Sequence, residues 1–280
     1  MIKKLYFLGP IGSYTQLASK KISSYIDIEE LVSVDSIYEI SRILKENNLN
    51  EYGAIIPLEN SIEGIVRESQ DNLADLAKIG YRIQAETCLD IEHSLVSFGK
   101  KDEIKTIISH PQALAQCRNY IFENWGNDID LIPALSTSNA VSTLKNIDPT
   151  IAAIASEFCA KTYNVPIQDS KINDKKNNKT RFVLLTKFNP KNNFQNKTSV
   201  VFSTENIPGA LNKVLTILEK YELNMSYVDS RPSRKELGEY VFYIDFAGHI
   251  EDLAVKNALE EIQPFIKMFE ILSNGAEIIL

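Results

Sequence analysis

The chain is poor in cysteine, has no excess of positive charge, and contains no long apolar run. Its three cysteines, Cys88, Cys117 and Cys159, lie far apart and form no CxxC pair. That spacing argues against a zinc site and against a disulfide framework, and it fits reduced thiols in a cytoplasm. The formal net charge is -7, which disfavours a general nucleic-acid binder. The first apolar run, around Leu5 to Leu8, is too short for a secretion signal. No later run approaches the length of a membrane span. The expectation is a cytoplasmic protein with neither nucleic acid nor membrane as partner. What is present is a 280-residue chain with 44% hydrophobic residues, enough to bury a core in one large or two to three smaller domains.

Strand and helix signals alternate at first. Leu5 to Leu8 reads as a strand, and Ser13 and Gln16 have the spacing of a capping box opening a helix. Glu30 to Val34 is a second strand, and Asp35 is placed to cap a helix whose apolar face is Ile37, Ile40, Ile43 and Leu44. Tyr52 to Pro57 is nearly continuous in apolar residues, as a strand of a parallel sheet covered on both faces tends to be. Leu58 to Gly64 reads as a loop, and a helix then runs to about Lys78. This β-α-β-α-β order implies an α/β layer structure. Shorter strands follow, with helices opening at Ser109-His110-Pro111-Gln112, at Ser136-Thr137-Ser138 and at Ser156-Glu157. Three of the helix openings, at Ser13, Ser109 and Ser136, each follow a strand. Each offers hydroxyls and unpaired backbone N–H groups at the positive end of a helix, which suits anions without formal positive charge.

Asn178-Lys179-Thr180-Arg181-Phe182 leads from a polar loop into the apolar run Val183-Leu184-Leu185. Alternation along a strand puts Thr180 and Phe182 on one face and Arg181 on the other. A hydroxyl beside an aromatic wall would suit a small ring-bearing substrate. Asn189 to Lys197 is polar and turn-rich and reads as a linker. Beyond it the signals run β-α-β-β-α-β, the split βαβ arrangement of ferredoxin-like folds, with Pro208 at a helix start. This last region has no cluster of acid, base and nucleophile and reads as a binding module.

Five segments then stand in a telling order: Gly9-Pro10-Ile11-Gly12-Ser13-Tyr14-Thr15, Pro57-Leu58-Glu59-Asn60-Ser61-Ile62-Glu63-Gly64, Ser109-His110-Pro111-Gln112-Ala113-Leu114, Ser136-Thr137 and Thr180-Arg181-Phe182. Together they resemble the prephenate dehydratase family. Residues 198–275 resemble an ACT domain, with Gly209-Ala210-Leu211 and Asp229-Ser230-Arg231-Pro232 at its signature places. The resemblance covers nearly the whole chain and is similar to the monofunctional form, with no room for the chorismate mutase domain of fused relatives. It implies a two-lobed, periplasmic-binding-protein-like catalytic region over 1–187, a linker over 188–197 and a ferredoxin-like ACT domain over 198–275. The first lobe would hold about 1–77 plus 169–187, and the second about 78–168.

The resemblance also implies a carbon–oxygen lyase converting prephenate to phenylpyruvate, carbon dioxide and water in phenylalanine biosynthesis, with neither cofactor nor metal. Thr180 would donate a hydrogen bond to the leaving hydroxyl, with Glu59 as a second candidate acid if desolvation keeps it protonated. Asn60 and Ser61 would position the substrate. Gly12, Ser13, Ser109, His110, Gln112, Ser136, Thr137, Arg181 and Phe182 complete the expected binding set. Alternation leaves Arg181 ambiguous, and His110 within a capping box suits a structural role. His93 and His249 have no partner motif and receive no role. The ACT domain would bind L-phenylalanine through Gly209, Ala210, Leu211, Asn224, Asp229, Ser230, Arg231 and Pro232, in a homodimer or homotetramer. Asp229 stands where the family usually has Glu. Two alternatives remain open: arogenate as substrate, and a non-enzymatic two-lobed solute sensor.

Overall fold

A computed structural model describes residues 1–144, 148–188, 197–233 and 239–279, with 274–279 as backbone alone. The chain opens with β1 (Ile2–Leu8), α1 (Tyr14–Ser23), β2 (Ile28–Val34), α2 (Ile37–Asn47) and β3 (Tyr52–Asn60), with β1 lying parallel between β2 and β3. Then come β4 (Gly64–Ile65), which folds back on the end of β3, α3 (Arg67–Lys78) and β5 (Arg82–Asp90). A second sheet holds β6 (Ser94–Val96), β7 (Thr106–Ser109), β8 (Asp130–Pro133), β9 (Ile151–Ala155) and β10 (Ile167–Asp169), in the order β10-β6-β9-β7-β8. Between these strands run α4 (Pro111–Gln116), α5 (Arg118–Trp125), α6 (Thr137–Thr143) and α7 (Glu157–Tyr163). The chain returns as β11 (Lys179–Thr186), which inserts antiparallel between β3 and β5. Two lobes therefore face each other, joined by two crossing segments. Those segments are tied side by side: Ile91 N–H donates to Asn178 O at 2.7 Å, and Ile172 N–H donates to His93 O at 2.9 Å.

The central strands of the first sheet carry apolar stretches, Ala54 to Ile56 on β3 and Phe182 to Leu185 on β11, where both faces are covered. Phe182 and Leu184 pack with Ile55, Ala18 and Ile22 under α1. Val183 and Leu185 pack the other way, with Ile56, Ile40 and Leu73. Several expected boundaries shift by a residue or more. β3 does not stop at Pro57 but continues through Asn60, because β11 supplies a pairing partner. Ser36, not Asp35, caps α2, its hydroxyl accepting from Glu39 N–H at 3.1 Å. Ser109 ends β7, and His110 caps α4.

The C-terminal region consists of β12 (Lys197–Thr204), α8 (Ala210–Lys220), β13 (Met225–Pro232), β14 (Tyr240–Ala247), α9 (Leu253–Ile262) and β15 (Ile266–Ile279). Its strands are antiparallel in the order β13-β14-β12-β15, the ferredoxin-like arrangement. Gly209 precedes α8 with φ 79°, a left-handed geometry that a side chain resists, so the helix begins at Ala210 and not at Pro208. This module does not stand apart. β15 pairs in parallel with β5, so that among the described residues one sheet of nine strands runs from β13 to β2, with β4 beside β3 as a tenth. Pairing the edge of β5 satisfies backbone groups that would otherwise be open. Residues 189–196, the body of the expected linker, lie outside the described residues. Among the described residues, no helix is long and apolar enough to cross a membrane.

Candidate active site

A cleft of about 790 Å³ opens between the lobes. Its floor is the paired ends of β3 and β11. Thr180 lies opposite Asn60 in that ladder, and Arg181 lies opposite Glu59. Alternation then separates the pairs. Thr180, Phe182 and Asn60 line the cleft, together with His110, Gln112, Ser136 and Thr137. Thus seven of the expected residues meet in one cavity, although Asn60 and Thr180 are 120 positions apart. Thr15 of α1, Gln112 of α4 and Thr137 of α6 bring the first turns of three helices to its wall. Among the described residues no lysine or arginine lines the cavity, while Asp35 and Glu63 do.

The remaining expected residues go elsewhere. Glu59 falls on the far face of β3, its carboxylate 3.9 Å from Arg181, because the strand continues where a loop was expected. It is therefore not at the cleft. Arg181 points the same way, toward Glu86 at 3.2 Å and Asp245 at 3.3 Å. Burial pulls the Arg181 pKa down, but Glu86, Asp245 and Glu59 together outweigh that and hold it above its ordinary value. Ser61 donates to Asn177 O and accepts from Lys179 N–H, each at 2.9 Å, so it staples the two strand ends. Ser109 is fully buried and donates to Ile154 O at 2.6 Å, because strand alternation turns it inward. Ser13 caps α1 and donates to Leu8 O at 3.0 Å. Gly12 has φ 86°, and a Cβ there would lie 3.0 Å from Cys159 Sγ, so it serves close contact between lobes.

On the cleft floor the hydrogen bonds have a forced direction. Asn60 Oδ1 accepts from the backbone N–H groups of Ile62 and Glu63, each at 2.9 Å. Backbone N–H groups can only donate, so the amide cannot flip. Asn60 Nδ2 must then donate, and it donates to Asn178 Oδ1 at 2.7 Å and to Thr180 Oγ1 at 2.9 Å. Thr180 Oγ1 is thereby an acceptor from its neighbour, and its own hydrogen is left to point at another group. Asn178 Nδ2 donates onward to Gln116 Oε1 at 3.0 Å, and Gln116 Nε2 reaches Glu63 at 3.3 Å. Asn178, Gln116 and Glu63 carried no expected role, although Glu63 stands inside one quoted motif and Asn178 and Gln116 stand just beside two others. His93 also lines the cleft, and burial lowers its pKa. Tyr14 is a further lining residue that carried no expectation; its hydroxyl donates to Glu92 O, and burial pushes its pKa up.

In the C-terminal module, β13 is the sheet edge. Ser230 pairs with Phe242, on the face covered by α8 and α9. Asp229 and Arg231 face the first lobe instead, where Gln70 donates to Asp229 at 2.9 Å and Arg231 donates to Asp71 at 3.1 Å. The backbone carbonyl of Asn224 accepts from Ala247 N–H at 2.9 Å.

A family model described as prephenate dehydratase matches residues 5–190, and one described as the ACT domain matches residues 198–263. The chain is 41% identical over 277 residues to a prephenate dehydratase of Methanocaldococcus jannaschii, covering 96% of this chain and 97% of that one. It is 34% identical to a prephenate dehydratase of Lactococcus lactis subsp. lactis, covering 98% of this chain and 97% of that one. Among solved structures it is similar to a prephenate dehydratase from Arthrobacter aurescens in complex with L-Phe, with TM-score 0.85 and 29% identity, covering 98% and 90% of the two chains.

Proposed function

The chain belongs to the prephenate dehydratase family, and from that premise we propose how its cleft carries out the reaction. The enzyme converts prephenate to phenylpyruvate, carbon dioxide and water. The bond from the ring to its carboxylate breaks, and those electrons complete the aromatic ring as the C–O bond to the hydroxyl breaks. Hydroxide leaves and gains a proton that comes ultimately from solvent. The protein's task is to hold a dianion, orient it, and stabilise charge on the departing oxygen.

The orientation of Thr180 carries this reading. Its Oγ1 already accepts from Asn60 Nδ2 at 2.9 Å, so its hydrogen is the donor offered to the leaving hydroxyl. Thr180 is 8% exposed, in surroundings where a directed dipole counts for more than in water. Phe182 packs beneath the ring. The carboxylates are held by neutral donors on the helix first turns, Thr15, Gln112, Ser136 and Thr137, in keeping with a wall that has no lysine or arginine among the described residues. Incubation of the purified protein with prephenate should yield phenylpyruvate, read by its absorbance in base. An inert protein in that assay defeats the reading. A second reading has one observation in its favour: the carboxylates of Asp35 and Glu63 on the wall would accept the ammonium of arogenate. A parallel assay for phenylalanine formed from arogenate ranks the two substrates.

The same proposal makes the ACT module the seat of L-phenylalanine inhibition. Gly209 to Leu211 and Ser230 would contact the amino acid. Asp229 and Arg231, bonded to Gln70 and Asp71, would report its binding to the first lobe. The open edge at β13 is the proposed pairing edge of a homodimer. Titrating activity with L-phenylalanine tests the regulation.

A further inference from the structure

The hydrogen-bond chain that fixes Thr180 does not end at Gln116. Gln116 Oε1 accepts from Asn178 and also lies 3.1 Å from His93 Nε2. The direction imposed at Asn60 by two backbone N–H groups passes through each amide in turn, so the atom facing His93 is an acceptor. An imidazole nitrogen facing a carbonyl oxygen must carry hydrogen. His93 is therefore protonated on Nε2. Its Nδ1 is buried with no hydrogen-bond partner among the described residues. The ring is 4% exposed, and burial lowers its basicity, so Nδ1 stays a bare lone pair.

The position of this ring matters as much as its tautomer. His93 lies in one crossing segment between the lobes, bonded through its backbone to Asn173 and Ile172 of the other. Gln116 ends α4 in the second lobe, while Asn178 leads into β11 of the first. The one carbonyl oxygen of Gln116 thus receives hydrogen bonds from the segment leaving the first lobe and from the segment returning to it.

We propose that His93 is a positioning residue for the dehydration: its Nε2–H holds the Gln116 amide, which through Asn178 and Asn60 keeps Thr180 aimed as a donor. Without that bond the Gln116 oxygen keeps only one partner and can rotate away. Asn178 then loses its acceptor, and the Asn60 amide loses the neighbour that divides its two hydrogens between Asn178 and Thr180. The effect falls on the transition state rather than on substrate binding, since the buried Nδ1 offers nothing to a ligand. The inference rests on the function proposed above.

The test compares three proteins with prephenate. His93→Phe fills the space without a donor, and turnover should fall about tenfold while KM stays within about threefold. His93→Gln restores an N–H at the ε position and should recover most of the turnover. Paired with Gln116→Ala, His93→Phe should cost little further turnover, because both break the same link. A KM rise with unchanged turnover would make His93 a substrate contact and overturn the proposal, as would a folded His93→Gln no better than His93→Phe. Nitrogen NMR of the unsubstituted protein gives an arm that needs no variant: the expected form is the neutral Nε2–H tautomer, and an Nδ1–H signal refutes the proposal. Failure of the unsubstituted protein to convert prephenate would sink the functional reading while leaving this tautomer result to stand or fall alone.

Discussion

The two faces of β11 are built on opposite electrostatic plans. On the cleft side Thr180 sits in a line of neutral groups, Asn60, Asn178, Gln116 and His93, that meets a carboxylate, Glu63, at the far side of Gln116. On the other side, one residue along, Arg181 enters a cluster of ions. It meets Glu59, Glu86 and Asp245, and Lys197 meets Glu86 and Asp245. The difference reflects what each face must do. Neutral amides transmit direction: each fixes its neighbour's orientation without adding charge that would repel or trap a dianion. A charge cluster transmits attachment, since Glu86 and Arg181 belong to the catalytic sheet while Asp245 and Lys197 belong to the ACT module. Position 181 ties the ACT module to β11, the strand that bears the proposed donor Thr180.

The comparison can be broken from either side. Thr180→Ala removes the donor and should lower turnover about 10²- to 10³-fold with the melting temperature little changed. Turnover near the parent's would remove Thr180 from the chemistry. Arg181→Met removes one of the two cations in that cluster, leaving Lys197 against Glu86 and Asp245, and should cost at most about 3–5 kcal/mol of stability, read from denaturant midpoints. If it instead lowers turnover at full stability, the two faces do not divide the work as described.

Asn60→Asp sharpens the contrast. The shape survives and the two backbone N–H bonds remain, but the donor toward Thr180 becomes an acceptor. Thr180 would then donate to the new carboxylate, and turnover should fall about ten- to hundredfold in a folded protein. The smallest expected effect is on pH. The folded pKa of His93 lies below its unfolded value, so the unfolded chain binds the proton more readily. Its contribution to stability is fully present above the ordinary histidine pKa of about 6.5, and is lost as pH falls from there through the folded value. Melting temperatures against pH should show that loss in the parent and less of it in His93→Gln.

How much of this was legible in the sequence depends on whether a side chain's partner was near it in the chain. The split of Thr180 and Phe182 from Arg181 followed from strand alternation, and the cleft lining agrees with it. Glu59 went astray for a related reason. Alternation applied there too, but the apolar run ended at Pro57 and gave no sign that pairing with β11 would extend the strand through Asn60. Ser109 was misread by one position: a capping pattern marked the serine, while the histidine beside it took the cap. His93 carried no signal and Gln116 only its place beside a motif, because their partners are distant in the chain.

Local sequence by itself set the order of strands and helices, the apolar strands of a doubly covered sheet and the polar first turns that face the cleft, because these depend on period, propensity and capping over a few residues. Tertiary structure alone decided that β15 would join β5, that the back of β11 would be held by ions from the ACT module, and which way each amide on the cleft floor would point. Those outcomes depend on which backbone donors and edges meet in space, and Asn60 and Asn178, 118 positions apart, take their directions only when they meet.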